Sequence, residues 1–278
     1  VGNLTLGGSG KTPIVRALAA RLSAEGQAVH ILMRGHGGRA RGPLRVDPTL
    51  HDAAAVGDEA LMLSGEAPVW IARDRVAGAQ AAVAAGASVI VMDDGHQNGA
   101  LAKRLSLVAV DGETRDGEWP FGDGSVFPAG PMREPLAAGL ARADAVILVL
   151  PADLAKPDPR LIAALLAKPV LIARLEPEGP PPPGPQLGFA GIAKPWKFER
   201  ALRAAGCDLV DFAPLADHAA IPDHTLRLLA ARAEALSAGM VTTEKDWIRL
   251  TPPWRKRVAA WRVAVRFEDE ADLNARLE

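Results

Sequence analysis

Apolar residues along this chain follow two rhythms. Ile14, Val15, Leu18, Ala19 and Leu22 recur at helical spacing and predict a helix over 12–24, ended by Gly26. Continuous apolar runs at 28–33, 68–72, 88–92, 105–110, 145–150 and 169–173 read as strands buried on both faces. A helix of small residues is expected after Arg73-Asp74-Arg75, running through Ala85. A second series follows further on: strands at 187–192, 208–212, 239–243 and 261–267, with helices at 196–205 and 225–236 between them. Strands alternating with helices predict an α/β fold with mostly parallel sheets and helices on both faces.

Between the two series, residues 176–185 hold six prolines in ten positions, which can neither continue a helix nor lie inside a sheet. We therefore expect a nucleotide-binding core over 1–178, a stiff linker over 179–185 and a smaller α/β domain over 186–278. Residues 39–48 read as a surface loop. The Gly- and Pro-rich stretch 113–131 is long for a structureless connection and reads as a lid or rim.

The first polar interruption carries the clearest chemistry. Gly7-Gly8-Ser9-Gly10-Lys11-Thr12 precedes the first helix, and this is the P-loop arrangement. Its small residues let backbone N–H groups converge on phosphate oxygens, its Lys reaches the β/γ-phosphates and its Thr hydroxyl ligates Mg²⁺. Thr5 stands where the pattern places its first glycine, so residues Thr5, Leu6, Gly7, Gly8, Ser9, Gly10, Lys11 and Thr12 form the candidate nucleotide site. Pro13 suits the first turn of the helix. The core is thus expected to be P-loop NTPase-like.

Three further polar clusters sit at strand or helix ends. The strand at 88–92 runs into Asp93-Asp94-Gly95, the form of a Walker-B tip that holds Mg²⁺ or its water, and His96, Gln97 and Asn98 extend it. Asp58 and Glu59 open a short apolar helix, as either first-turn capping or catalytic carboxylates. Arg34-Gly35-His36-Gly37-Gly38 turns at a strand's C-terminal end, where open α/β sheets place ligands.

Composition narrows the setting. A net charge of −1 gives no electrostatic reason to expect nucleic acid. The single cysteine, Cys207, rules out an intrachain disulfide and points to a reducing compartment. No apolar run approaches the ~18 residues of a membrane span. Few residues precede the P-loop and Val1 is not a start methionine, so we expect the rest of the first strand, and a further segment, to lie upstream.

Taken together these stretches resemble the tetraacyldisaccharide 4'-kinases of lipid A biosynthesis. The resemblance rests on 1–3 through Gly10-Lys11-Thr12-Pro13, Arg34-Gly35-His36-Gly37, Gly57-Asp58-Glu59 and Asp93-Asp94-Gly95-His96-Gln97. It continues in Pro128-Ala129-Gly130-Pro131-Met132-Arg133-Glu134-Pro135, Phe189-Ala190-Gly191-Ile192, Asp217-His218 and Thr242-Thr243-Glu244-Lys245-Asp246. It implies a kinase that moves the ATP γ-phosphate to the 4'-hydroxyl of a tetraacylated glucosamine disaccharide 1-phosphate. It also implies a peripheral enzyme on the cytoplasmic face of the inner membrane, meeting lipid A disaccharide 1-phosphate at the bilayer surface through an anchor absent from this stretch. By the same resemblance Asp58 and His218 form a catalytic dyad beside Lys11. Thr12, Glu59, Asp93 and Asp94 become candidates for Mg²⁺, and Arg75, Gln97 and Arg133 for weaker substrate contacts. His36, Asn98 and Ala219 depart from the residues usual in that family, which are Tyr, His and often a second His.

Two other readings are open to the same residues. One is a ParA- or GTPase-like nucleotide switch acting through protein partners, although a second loop lysine at Leu6 and a guanine-reading Asn-Lys-x-Asp are both missing. The other is a lipid-binding scaffold with a relic P-loop, which an intact Lys11, Thr12 and Asp94 oppose.

Overall fold

The computed structural model describes residues 1–113, 119–217 and 221–278. In chain order, β1 (Gly2–Asn3) leads through the glycine loop to α1 (Lys11–Ala24) and β2 (Val29–Met33). Next come β3 (Leu44–Arg45), α2 (Ala53–Val56), α3 (Asp58–Leu63), β4 (Val69–Ile71), α4 (Arg75–Ala84) and β5 (Val89–Met92). The middle of the chain forms β6 (Leu107–Asp111), α5 (Leu136–Ala141), β7 (Ala145–Pro151), α6 (Pro159–Leu165) and β8 (Val170–Pro177). After the prolines come β9 (Gln186–Ala190), α7 (Pro195–Ala204), β10 (Leu209–Pro214), α8 (Asp223–Ala235), β11 (Gly239–Thr243) and α9 (Glu244–Trp247). The chain ends with α10 (Pro252–Arg255), β12 (Val258–Trp261), β13 (Val263–Phe267) and α11 (Glu270–Leu277).

The strands form three sheets, ordered β3-β4-β2-β5, β1-β6-β7-β8-β13 and β10-β9-β11-β12. Pairing is parallel except for β3 on β4 and β13 on β8. The first two sheets abut through Val1, whose nitrogen donates to the Met92 carbonyl at 2.8 Å and whose carbonyl accepts from Gly95 N–H at 2.9 Å. The strand entering the P-loop therefore lies beside the strand that ends in Asp93 and Asp94. All seven residues of β7 are buried, as a central strand covered on both faces requires. On α1, the five apolar positions read from the sequence are all buried. Asp74 starts α4 by accepting from Val76 and Ala77 N–H.

Three readings of the sequence need correction. The strand expected at 261–267 is two strands: β12 completes the third sheet, and after Arg262 alone β13 pairs antiparallel with β8. Residues 263–278, grouped by sequence with 186–278, thus return to the first half of the chain, where Phe267 and Leu273 pack with Ile14 and Leu18 of α1. The expected loop at 39–48 contains the edge strand β3. Finally, Glu176 and Pro177, the first two residues of the proline-rich stretch, lie in a sheet as the end of β8, paired with β13.

Candidate active site

The P-loop is shaped by Gly10, the residue before α1, whose φ of +76° is closed to most side chains. The Asn3 side chain braces the loop from below, donating to the Thr5 carbonyl at 2.8 Å while its own oxygen accepts from Lys11 Nζ at 2.9 Å. Along its flank, Leu6 N–H donates to the Pro131 carbonyl at 2.8 Å and Arg133 Nε to the Thr5 carbonyl at 3.2 Å. The Ser9 hydroxyl is buried with no hydrogen-bond partner among the described residues. Among the described residues nothing crowds Gly8, and a Cβ on Gly7 would meet only Ala193. Thr12 follows Lys11 in the first turn of α1. The loop thus offers backbone amides and a helix N-terminus to an anion.

Two adjacent aspartates beyond β5 differ in state. Asp93 is 2% exposed and neither of its carboxylate oxygens has a hydrogen-bond partner among the described residues. Burial, reinforced by the Glu59 charge and opposed by Lys11, pushes its pKa up to about 6. Asp94 takes two hydrogen bonds from Arg133 Nη1, at 2.8 and 2.9 Å, and lies 3.6 Å from Lys11 Nζ. Burial works against its charge, but Lys11 and Arg133 outweigh that and hold its pKa below the usual range. Asp94 also has φ +55°, an uncommon conformation for a residue with a side chain.

Orphaned buried carboxylate oxygens beside an ammonium suit a hydrated cation. Among the described residues no group of three His, Cys, Asp or Glu side chains converges as a metal cage. Mg²⁺ is normally held by one or two carboxylates together with substrate phosphates and water, so this donor set fits it.

The Gly-Asp-Glu segment brings Glu59 near enough to act on Asp93. A Cβ on Gly57 would lie 2.4 Å from the His36 carbonyl oxygen, and its φ is +91°, so glycine lets the 34–37 turn lie against α3. Asp58 Oδ1 accepts from Glu59 N–H at 2.8 Å. Its Oδ2 accepts from Arg249 Nε at 2.8 Å and also from Arg249 Nη2. Burial would raise the Asp58 pKa, but Lys245 and Arg249 outweigh it and the pKa is lowered. Glu59 pairs with Lys245 at 3.1 Å, and Glu244 with Arg16 of α1 at 2.8 Å.

The structure places the candidates unequally. Lys11, Asp93, Asp94 and Arg133 gather around the P-loop, and Glu59 is near enough to act on Asp93 electrostatically. Gln97 donates to the Asn3 carbonyl at 2.8 Å and to Glu134 at 2.9 Å, so it ties β1 to the rim. Buried Arg75 donates to the Ala72 carbonyl at the head of α4. His218 and Ala219 lie outside the described residues. Asn3 and Arg249 were not singled out in the sequence. The only signals for them were an amide four residues before the loop's first glycine pair and a cation three residues after Asp246.

Over residues 1–278 the chain matches the sequence model described as tetraacyldisaccharide-1-P 4'-kinase. The chain belongs to that family. It is 66% identical over 275 residues to the tetraacyldisaccharide 4'-kinase of Phenylobacterium zucineum, covering 99% of this chain and 82% of that protein. It is 65% identical over 278 residues to the enzyme of that name from Caulobacter vibrioides, covering 100% of this chain and 83% of that protein. Its fold is similar to the crystal structure of LpxK from Aquifex aeolicus in complex with ATP, with a TM-score of 0.75 and 26% identity. That match covers 99% of this chain and 85% of the Aquifex chain. The mixed α/β architecture with mostly parallel sheets is thus that of a kinase family, and the nucleotide-switch reading is not favoured.

Proposed function

We propose that this tetraacyldisaccharide 4'-kinase family member transfers the γ-phosphate of ATP to the 4'-hydroxyl of a tetraacylated glucosamine disaccharide 1-phosphate. The observation that carries the reading is the meeting of Lys11, Asp93 and Asp94 beside the P-loop, with Glu59 near enough to act on an Asp93 carboxylate that has no hydrogen-bond partner among the described residues. Phosphoryl transfer calls chiefly for alignment and charge neutralisation, and this arrangement offers both. Residues 5–12 would cradle the phosphates, with Lys11 turning from Asn3 towards the β/γ-oxygens. Thr12, Asp93 and Asp94 would hold Mg²⁺, directly or through water, with Glu59 nearby. When bound, Mg²⁺ neutralises charge on the phosphate oxygens.

Asp58 would align the sugar hydroxyl and accept its proton as phosphorus is attacked, with His218 as its dyad partner. Arg75, Gln97 and Arg133 are the weaker substrate contacts, each already held by a protein group that would have to yield or share it. No helix among the described residues is long and apolar enough to cross a membrane. The acyl chains of the acceptor are insoluble in water, which supports a peripheral position at the cytoplasmic face of the inner membrane.

The test is transfer of labelled γ-phosphate from ATP to lipid A disaccharide 1-phosphate by the full-length protein in mixed micelles. Metal-dependent formation of the 4'-phosphorylated product is expected. Nucleotide hydrolysis with no labelled lipid would overturn the reading. Membrane placement is checked separately by fractionation of cells expressing the full-length protein.

A further inference from the structure

Asp58 does not stand alone, and what holds it comes from 191 residues further along the chain. Its Oδ1 is fixed by the Glu59 N–H of its own helix, and its Oδ2 by two nitrogens of Arg249. A carboxylate gripped at both oxygens by separate elements cannot swing about its own axis. Arg249 is itself fixed: its Nη1 lies 3.2 Å from Asp246 Oδ1 and 3.4 Å from the Gly191 carbonyl. Asp246 is fully buried, and its Oδ2 accepts from Gly191 N–H at 2.9 Å and from the Thr243 hydroxyl at 2.7 Å. A Cβ on Gly191 would come within 3.1 Å of Asp246 Oδ1, so the backbone approaches this cluster as closely as it can. Two residues on, Ala193 faces Gly7 of the P-loop.

A line of fixed groups therefore runs from the tip of β9 through Asp246 and Arg249 to Asp58. We propose that Arg249, oriented by Asp246, is the positioning residue that aims the Asp58 carboxylate at the acceptor hydroxyl. The inference rests on the reading of Asp58 as the group that aligns that hydroxyl. Stability alone is a poor reason for such a pair. Both side chains are 10% exposed, and buried ion pairs regain through attraction little more than their desolvation costs. A planar fork engaging one carboxylate oxygen while its other arm rests on a second carboxylate gives direction, which a lysine at the same place would give less well.

Among the described residues, the charges around Asp58 come from few elements. They are Glu59 on α3, Lys245 and Asp246 on α9, Arg249 just after α9, and Arg16 of α1, which reaches the Met62 carbonyl on α3. Strand β4, also packed on α3, carries none.

The experiment compares Arg249→Ala, Arg249→Lys, Asp58→Asn and the Asp58→Asn/Arg249→Ala pair in the full-length enzyme, with turnover expressed per ATP-binding protein. Arg249→Ala is expected to lose ~10- to 100-fold in kcat, the usual cost of removing an orienting partner, with KM for ATP within about threefold of wild type. Millimolar ethylguanidinium should restore part of that loss, and Arg249→Lys should fall between the two. The double variant should be no worse than Asp58→Asn alone.

Turnover of Arg249→Ala within twofold of wild type, or losses that multiply in the pair, would overturn this inference while leaving Asp58 in its role. Should Arg249→Ala not fold, Arg249→Lys decides: wild-type kcat in it overturns the inference, and a loss at unchanged KM supports it. Wild-type turnover in Asp58→Asn would remove the reading of Asp58 and this inference with it.

Discussion

The Lys11 ammonium donates to the side-chain oxygen of Asn3 at 2.9 Å. The lysine that would follow the charge of a transferring phosphoryl group is thus tied to the residue that also braces the loop through the Thr5 carbonyl. Its contact with phosphate should tighten as charge develops, so its loss should be felt in turnover more than in folding. Lys11→Ala is expected to abolish measurable kinase turnover while leaving the far-UV circular dichroism spectrum unchanged. Asn3→Ala should retain the cation but lose its guide, so its kcat should lie between those of wild type and Lys11→Ala. Wild-type turnover in Lys11→Ala would count against the phosphate-binding role.

Asp93 allows a prediction with a sign. Its native pKa of about 6 stands above the unfolded value of about 3.9. Between those values the native state binds more protons than the unfolded one, so stability falls as pH rises through the window. Below the unfolded pKa there is no penalty, and above about pH 6 it is complete. A shift of about two units corresponds to on the order of 3 kcal/mol. In the absence of nucleotide and metal, Asp93→Asn should therefore unfold several degrees higher than wild type at pH 8, with the difference vanishing near pH 4. The same variant should lose metal-dependent turnover, because the amide cannot replace the charge. Equal unfolding temperatures at pH 8 would show that the carboxylate is not held at this cost.

What could be read in the sequence was whatever is local. The P-loop, the strand ending in Asp93-Asp94 and most helices and strands depend on neighbouring residues and on period, and they stand where the pattern puts them. The two-strand return at the C-terminus was hidden because Val258–Trp261 and Val263–Phe267 are both apolar and only Arg262 divides them. A change of sheet leaves no trace in an apolar period. From spacing alone Asp58 could be a helix-opening or a catalytic carboxylate, since capping and chemistry ask for the same residue at the same place, and only the family resemblance pointed to the second. Arg249 had no local signal at all: its meaning comes from Asp58, and only folding makes them neighbours.

That C-terminal return has a consequence for stability. Phe267, the last residue of β13, is 5% exposed and packs with Ile14, Leu18 and Leu171 in the core beneath α1. Removing such a ring typically costs about 3–5 kcal/mol. Phe267→Ala should lower the unfolding temperature of the half that carries the P-loop, and bound ATP should restore part of the loss. Were residues 263–278 to belong with 186–262 alone, the variant would unfold the third sheet first and leave ATP binding untouched. Hydrogen exchange at β7 and β9 separates the two outcomes.

The last prediction concerns the proposed dyad. Asp58 opens α3 in the first half of the chain, and His218 lies in sequence between β10 and α8 of the third sheet. The two halves already meet at Asp58 and Arg249, and a dyad built across them would be shielded from water once substrate is bound. A general base typically contributes ~10²–10⁴ in rate, or roughly 3–5 kcal/mol of barrier. Asp58→Ala and His218→Ala should each lose on that order in kcat, with ATP affinity nearly intact because neither lies in the phosphate loop. Groups that act as one unit are not additive, so the double variant should be little worse than the worse single one. Arg249 stays in place throughout, which separates this experiment from the positioning test: losing His218 leaves Asp58 aimed but without its partner. Losses that multiply in the Asp58→Ala/His218→Ala variant would mean that the two side chains work independently, and Asp58, aimed by Arg249, would then have to act without the histidine.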